Sequence, residues 1–160
     1  IFILWELVEP SISNRKHGFC GTDFQATNRK FWLYRGEKTK HHGDLLPDSI
    51  RAVFCGPSNC GKTNSLFTLI THPNGLRFEN IYVYSKSLYQ PKHKFLEKLL
   101  DPMEGIQYFP FQEHDEVVSP DNALPNSIII FDDIATEKQD NVRAFFCMGR
   151  HKNVDCFYFC

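Results

Sequence analysis

The run Gly56-Pro57-Ser58-Asn59-Cys60-Gly61-Lys62-Thr63 constrains this chain more than any other stretch. Residues 52–55 before it are apolar, and residues 64–70 after it suit a helix. A G-x-x-x-x-G-K-[ST] pattern set between a strand and a helix is a loop whose successive N–H groups can surround an anion. Glycine at positions 56 and 61 admits positive φ, which lets the backbone close on itself. The helix that follows directs the positive end of its dipole at the same point. In this reading Gly56, Pro57, Ser58, Asn59, Cys60, Gly61, Lys62, Thr63 and Asn64 form a phosphate cradle. The Lys62 ammonium reaches the outer phosphates of ATP, and the Thr63 hydroxyl ligates Mg²⁺.

A second stretch belongs with the first. Ser127-Ile128-Ile129-Ile130-Phe131-Asp132-Asp133 is unbroken apolar sequence ending in two carboxylates. A parallel strand covered on both faces reads this way, because neither face can be polar. Ligands of open α/β sheets bind at the carboxyl ends of the strands, where these acids fall. Asp132 is assigned to Mg²⁺, and Asp133 to orienting or deprotonating an attacking water. Asp133 is one methylene shorter than the Glu common at that position.

From residue 51 onward strands and helices alternate. The pattern predicts strands near residues 52–55, Asn80–Ser85, 106–109 and 154–160, another along the run 127–133, and a helix over 61–71 that stops at His72-Pro73-Asn74-Gly75. A second helix begins at Pro91 with Phe95, Leu96, Leu99 and Leu100 inward. Thr136-Glu137-Lys138-Gln139 resembles a capping box opening a third, with Val142, Phe145, Phe146 and Met148 as its apolar stripe and Gly149 as its end. This alternation implies an α/β domain, a mainly parallel sheet flanked by helices, over residues 49–160. Residues 1–48 form a basic and aromatic extension. Arg15, Lys16, Arg29, Lys30, Arg35, Lys38 and Lys40 are interleaved there with Phe24, Phe31, Trp32 and Tyr34. We read its aromatics as packing on the domain and its charges as solvated, with a nucleic-acid surface as the alternative.

A chain of 160 residues makes one domain with a sizeable core. A net charge of −1 supplies no general basic field, so any nucleic-acid contact must be local. The six cysteines (Cys20, Cys55, Cys60, Cys147, Cys156 and Cys160) have no C-x-x-C spacing, and we expect reduced, mostly buried thiols in an intracellular, non-secreted protein. His41 and His42 are expected in a solvated loop. The opening Ile1-Phe2-Ile3-Leu4-Trp5 run is too short to span a bilayer and lacks the marks of a signal peptide. The chain starts without Met and stops inside an expected strand, so we expect a core truncated at its C-terminal side.

Residues 64–126, read as helix–strand–helix–strand, separate the loop from the acidic strand. This spacing argues for the P-loop NTPase branch in which an additional strand lies between the two motif strands. No Asn-Lys-x-Asp supports a GTPase. The loop, Ile81-Tyr82-Val83-Tyr84-Ser85-Lys86-Ser87, Ile128 to Asp133, and Gly149-Arg150-His151-Lys152-Asn153 occur in that order. Together they resemble the genome-packaging ATPases of poxvirus-type large DNA viruses and Polinton/adintovirus-like elements, in the FtsK–HerA superfamily. The resemblance implies a homo-oligomeric ring that pumps double-stranded DNA into a capsid using ATP and Mg²⁺, with capsid proteins as partners and no membrane. Arg150 is then a sensor or trans-acting arginine, joining Lys62 and Asp133 in catalysis. The polar sensor that follows the last strand in such enzymes would lie beyond Cys160. The alternatives are a superfamily 3-type replicative helicase and a mobile-element remnant that binds nucleotide without turnover.

Overall fold

The computed structural model describes residues 2–5 and 42–160. The basic and aromatic residues named above, with Cys20 and His41, lie outside the described residues. Six strands form one sheet: β1 (Phe2–Trp5), β2 (Arg51–Cys55), β3 (Asn80–Ser85), β4 (Gln107–Phe111), β5 (Ser127–Asp132) and β6 (Val154–Phe159). Their order across the sheet is β1-β2-β6-β5-β3-β4. The last five are mutually parallel, and β1 pairs antiparallel with β2. The architecture is therefore α/β, a five-strand parallel sheet flanked by helices, with one antiparallel strand added at an edge. β6 lies between β2 and β5, the two strands that carry the glycine-rich loop and the paired acids.

The helices are α1 (Lys62–Thr71), α2 (Pro91–Leu100) and α3 (Asp140–Met148). Side chains alternate across a strand, and this splits the core. Ile128 and Ile130 of β5 pack with Phe54, Val83, Phe157 and Phe159 beneath Leu66 and Ile70 of α1 and Leu96 and Leu100 of α2. Ile129 and Phe131 face the other way, with Tyr82, Tyr84 and Cys156, against Val142 and Phe145 of α3. The same parity puts Asp132 on the α1–α2 face. β3 and β5 are buried along their whole length, as their unbroken apolar sequence requires.

Several expectations are corrected. The capping box does not form: α3 begins at Asp140 with no side-chain cap, while the Gln139 amide donates to Ile134 O and Glu137 O, both at 2.8 Å. Those bonds hold residues 134–139 in a turn, and the helix cap falls at Gln139 instead of Thr136. Phe95 is exposed, although its ring packs 5.2 Å from that of Phe67, and Met148 is also exposed. Of the five described cysteines only Cys156 is buried, because Cys55 and Cys160 lie where β2 and β6 run out of the sheet.

His42 is 1% exposed rather than solvated. Its Nδ1 accepts from Arg77 N–H at 3.1 Å, which leaves Nε2 to donate to Asp155 Oδ2 at 2.7 Å. Asp155 Oδ1 accepts in turn from Ile50 N–H at 2.7 Å. This buried pair fastens the segment before β2 to the start of β6. Gly43, the next residue, runs so close to Asn74 that a Cβ there would sit 1.7 Å from its carbonyl oxygen.

Candidate functional site: the carboxyl edge of the sheet

β2 leaves the sheet at Cys55 and turns into α1 through the glycine-rich loop. Asn59 and Gly61 both have positive φ, 63° and 92°. Gly56 does not, so its role differs from the one expected: it leaves room for Cys60, whose Sγ would stand 2.7 Å from a Cβ there. The alternation of backbone hand turns successive amides inward. Ser65 N–H is the first in α1 to find a carbonyl, Gly61 O at 3.0 Å. The N–H groups of Gly61, Lys62, Thr63 and Asn64 meet no acceptor among the described residues, and no side chain caps the helix. Unsatisfied donors at a helix N-terminus form a ready seat for an anion. Lys62 folds back over this hollow, its ammonium donating to Gly56 O at 2.5 Å and Pro57 O at 3.2 Å.

Asp132 ends β5 and is 5% exposed. It lines a narrow cleft with Thr63, Lys92, His93 and Phe159, wide enough for about one water. The two residues assigned to Mg²⁺, Thr63 at the start of α1 and Asp132 at the end of β5, thus line the same cleft. Sequence reasoning missed what holds Asp132: the Lys92 ammonium at 2.7 Å and His93 Nε2 at 3.1 Å. Both contacts are within ion-pair distance, the ammonium being the closer of the two. Burial alone would raise the Asp132 carboxyl, but its two cationic and polar neighbours outweigh that and hold it below its ordinary value. His93 carried a signal in the sequence, since positions 93, 96 and 100 share one face of α2.

Asp133 lies just past the strand, exposed and at φ 59°, a hand uncommon for a residue with a side chain. Ser87, two residues past β3, donates its hydroxyl to Asp133 Oδ2 at 3.2 Å. No spacing in the sequence announces Ser87.

Arg150 is not brought to this site. It sits in the 3-10 turn Gly149–Lys152, which leads into the first residue of β6, whereas the loop and Asp132 lie at the opposite end of the strands. A six-residue strand spans about 20 Å. The structure thus does not bring Arg150 together with Lys62, Thr63, Asp132 or Asp133. Among the described residues no three His, Cys, Asp or Glu side chains cluster as a metal site, and no helix is long and apolar enough to cross a membrane. No family model, curated protein or solved structure matches this chain.

Proposed function

We propose that residues 49–160 are a P-loop NTPase core of the additional-strand type that binds Mg²⁺·ATP at the carboxyl edge of the sheet. One observation carries the reading: Thr63 at the start of α1 and Asp132 at the end of β5 line the same narrow cleft, beside a helix start whose amides have no partner among the described residues. The position of β6 between the two motif strands supports the additional-strand assignment. In the bound state the loop amides and Lys62 hold the phosphates. Thr63 and Asp132 hold Mg²⁺, which supplies charge neutralisation at the transferred phosphoryl group. Asp133, steadied by Ser87, aligns the attacking water. The sequence resemblance adds the larger task, translocation of double-stranded DNA into a capsid by a ring of such subunits inside the cell. In that ring Arg150 acts in trans.

The pairing of Lys92 with Asp132 favours a second reading, a nucleotide-binding module without turnover, because an ammonium 2.7 Å away already neutralises the carboxylate assigned to the metal. Titration calorimetry with ATP, with and without Mg²⁺, tests binding, and steady-state phosphate release with and without duplex DNA tests turnover. The motor reading expects Mg²⁺-dependent binding that Lys62→Ala weakens by about tenfold or more, and hydrolysis stimulated by DNA. Binding without hydrolysis supports the module. Absence of saturable binding overturns both.

A further inference from the structure

β2 and β6 end side by side at the root of the glycine-rich loop, and each is followed to its tip by a cysteine. The register pairing Val53 with Tyr158 and Phe54 with Phe159 continues to set Cys55 opposite Cys160. Two main-chain bonds carry the ladder past that point. Cys160 N–H donates to Phe54 O at 3.0 Å, and Gly56 N–H donates to Cys160 O at 3.0 Å. Adjacent strands stand about 4.8 Å apart, within the Cα separation of about 4.4–6.8 Å that a disulfide spans. Phe54 and Phe159 face α1, so Cys55 and Cys160 both project from the other face. Both are free thiols, and both residues are exposed. Burial of the Sγ and the Cys55 thiol raise the Cys160 thiol, while the nearby Lys62 ammonium pulls the other way.

We propose that Cys55 and Cys160 are a redox modification site, forming a reversible disulfide by exchange with a low-molecular-weight disulfide of the glutathione class. One protein thiolate attacks a sulfur of the oxidant, expels a small thiolate and leaves a mixed disulfide. The second protein thiolate then attacks the protein sulfur of that mixed disulfide and expels the other small thiolate. The two cysteines give up two electrons and two protons, and the oxidant becomes two thiols. The bond joins Cys55, the residue before Gly56, to the strand that already accepts the Gly56 N–H. It fixes the root of the loop whose carbonyl holds Lys62. Its consequence for Mg²⁺·ATP, weaker binding through a loop that no longer reshapes, rests on the proposed nucleotide site.

The experiment incubates the chain with oxidised glutathione, traps remaining thiols with an alkylating agent under denaturing conditions, and maps the peptides by mass spectrometry. The expected product has lost two hydrogens, carries no glutathione and yields a Cys55–Cys160 cross-linked peptide. Cys60→Ser keeps this product, whereas Cys55→Ser and Cys160→Ser each stop at a mixed disulfide. A Cys55–Cys60 bond, or a persistent mixed disulfide in the unsubstituted chain, overturns the proposal. In the Cys60→Ser protein, oxidation should weaken Mg²⁺·ATP binding by about tenfold and dithiothreitol should restore it. Equal binding before and after oxidation refutes the clamp. A reduced protein that binds no Mg²⁺·ATP refutes the nucleotide site instead and leaves the peptide map to judge the disulfide alone.

Discussion

Lys92→Met removes the cation that sits 2.7 Å from Asp132 while keeping most of the side-chain volume. Breaking a fully buried ion pair costs about 3–5 kcal/mol, and losing an exposed one about 0.2–1 kcal/mol. Here the carboxylate is 7% exposed and the lysine side chain 28% exposed. His93 remains beside the acid, so we expect an intermediate loss of about 1–3 kcal/mol at pH 7 by urea denaturation. In an Asp132→Asn background there is no buried charge left to strand, and the same substitution should cost below about 0.5 kcal/mol. The pH dependence has a definite sign. Asp132 is held below its ordinary value in the folded protein. Its pairing therefore stabilises the fold above the unfolded carboxyl pKa, and that stability drains away as pH falls through the folded one. The cost of Lys92→Met should hold constant from pH 7 to about pH 5 and shrink below about pH 4. An equal cost in both backgrounds, or a cost that grows in acid, would refute the account of how α2 holds β5's acid.

Asp133→Asn suits the positive φ at that position, so thermal stability should stay within about 0.5 kcal/mol; phosphate release should fall at least tenfold with Mg²⁺·ATP affinity unchanged by calorimetry. His42→Ala strands the Asp155 carboxylate and the Arg77 amide in the interior, and chemical denaturation should register a loss of about 3–5 kcal/mol. Arg150→Ala, at the far edge of the sheet, should leave nucleotide affinity of the isolated chain unchanged. Its effect should appear only in turnover by an assembled ring, compared at concentrations above and below assembly.

The central strands were legible because burial on both faces leaves one solution: β3 was read to the residue, and β5 to within one, from apolar runs and their breakers. The glycine-rich loop was legible for the same kind of reason, since each residue type answers a backbone or charge requirement. What escaped were contacts made across the fold. Nothing near His42 in sequence marks it as interior; Asp155 and Arg77, far along the chain, decide that. Lys92 and Ser87 act on Asp132 and Asp133 because strand register sets the carboxyl ends of β3 and β5 side by side, a fact carried by pairing rather than by local pattern. The Thr136 to Gln139 stretch has the composition of a helix start, yet the Gln139 side chain satisfies turn carbonyls and delays the helix. Arg150 follows the acidic strand closely in sequence, and a parallel crossover returns the chain to the opposite rim before the next strand begins.

Pro110 lies on β4, the outermost strand beside β3. Proline brings no amide hydrogen, so a ladder continued along that margin would lack a donor at this residue. The opposite margin, along β2, is already taken by Phe2–Trp5. The sheet therefore meets its surroundings through two unlike margins, one interrupted by an imino acid and the other formed by a strand from the far start of the chain.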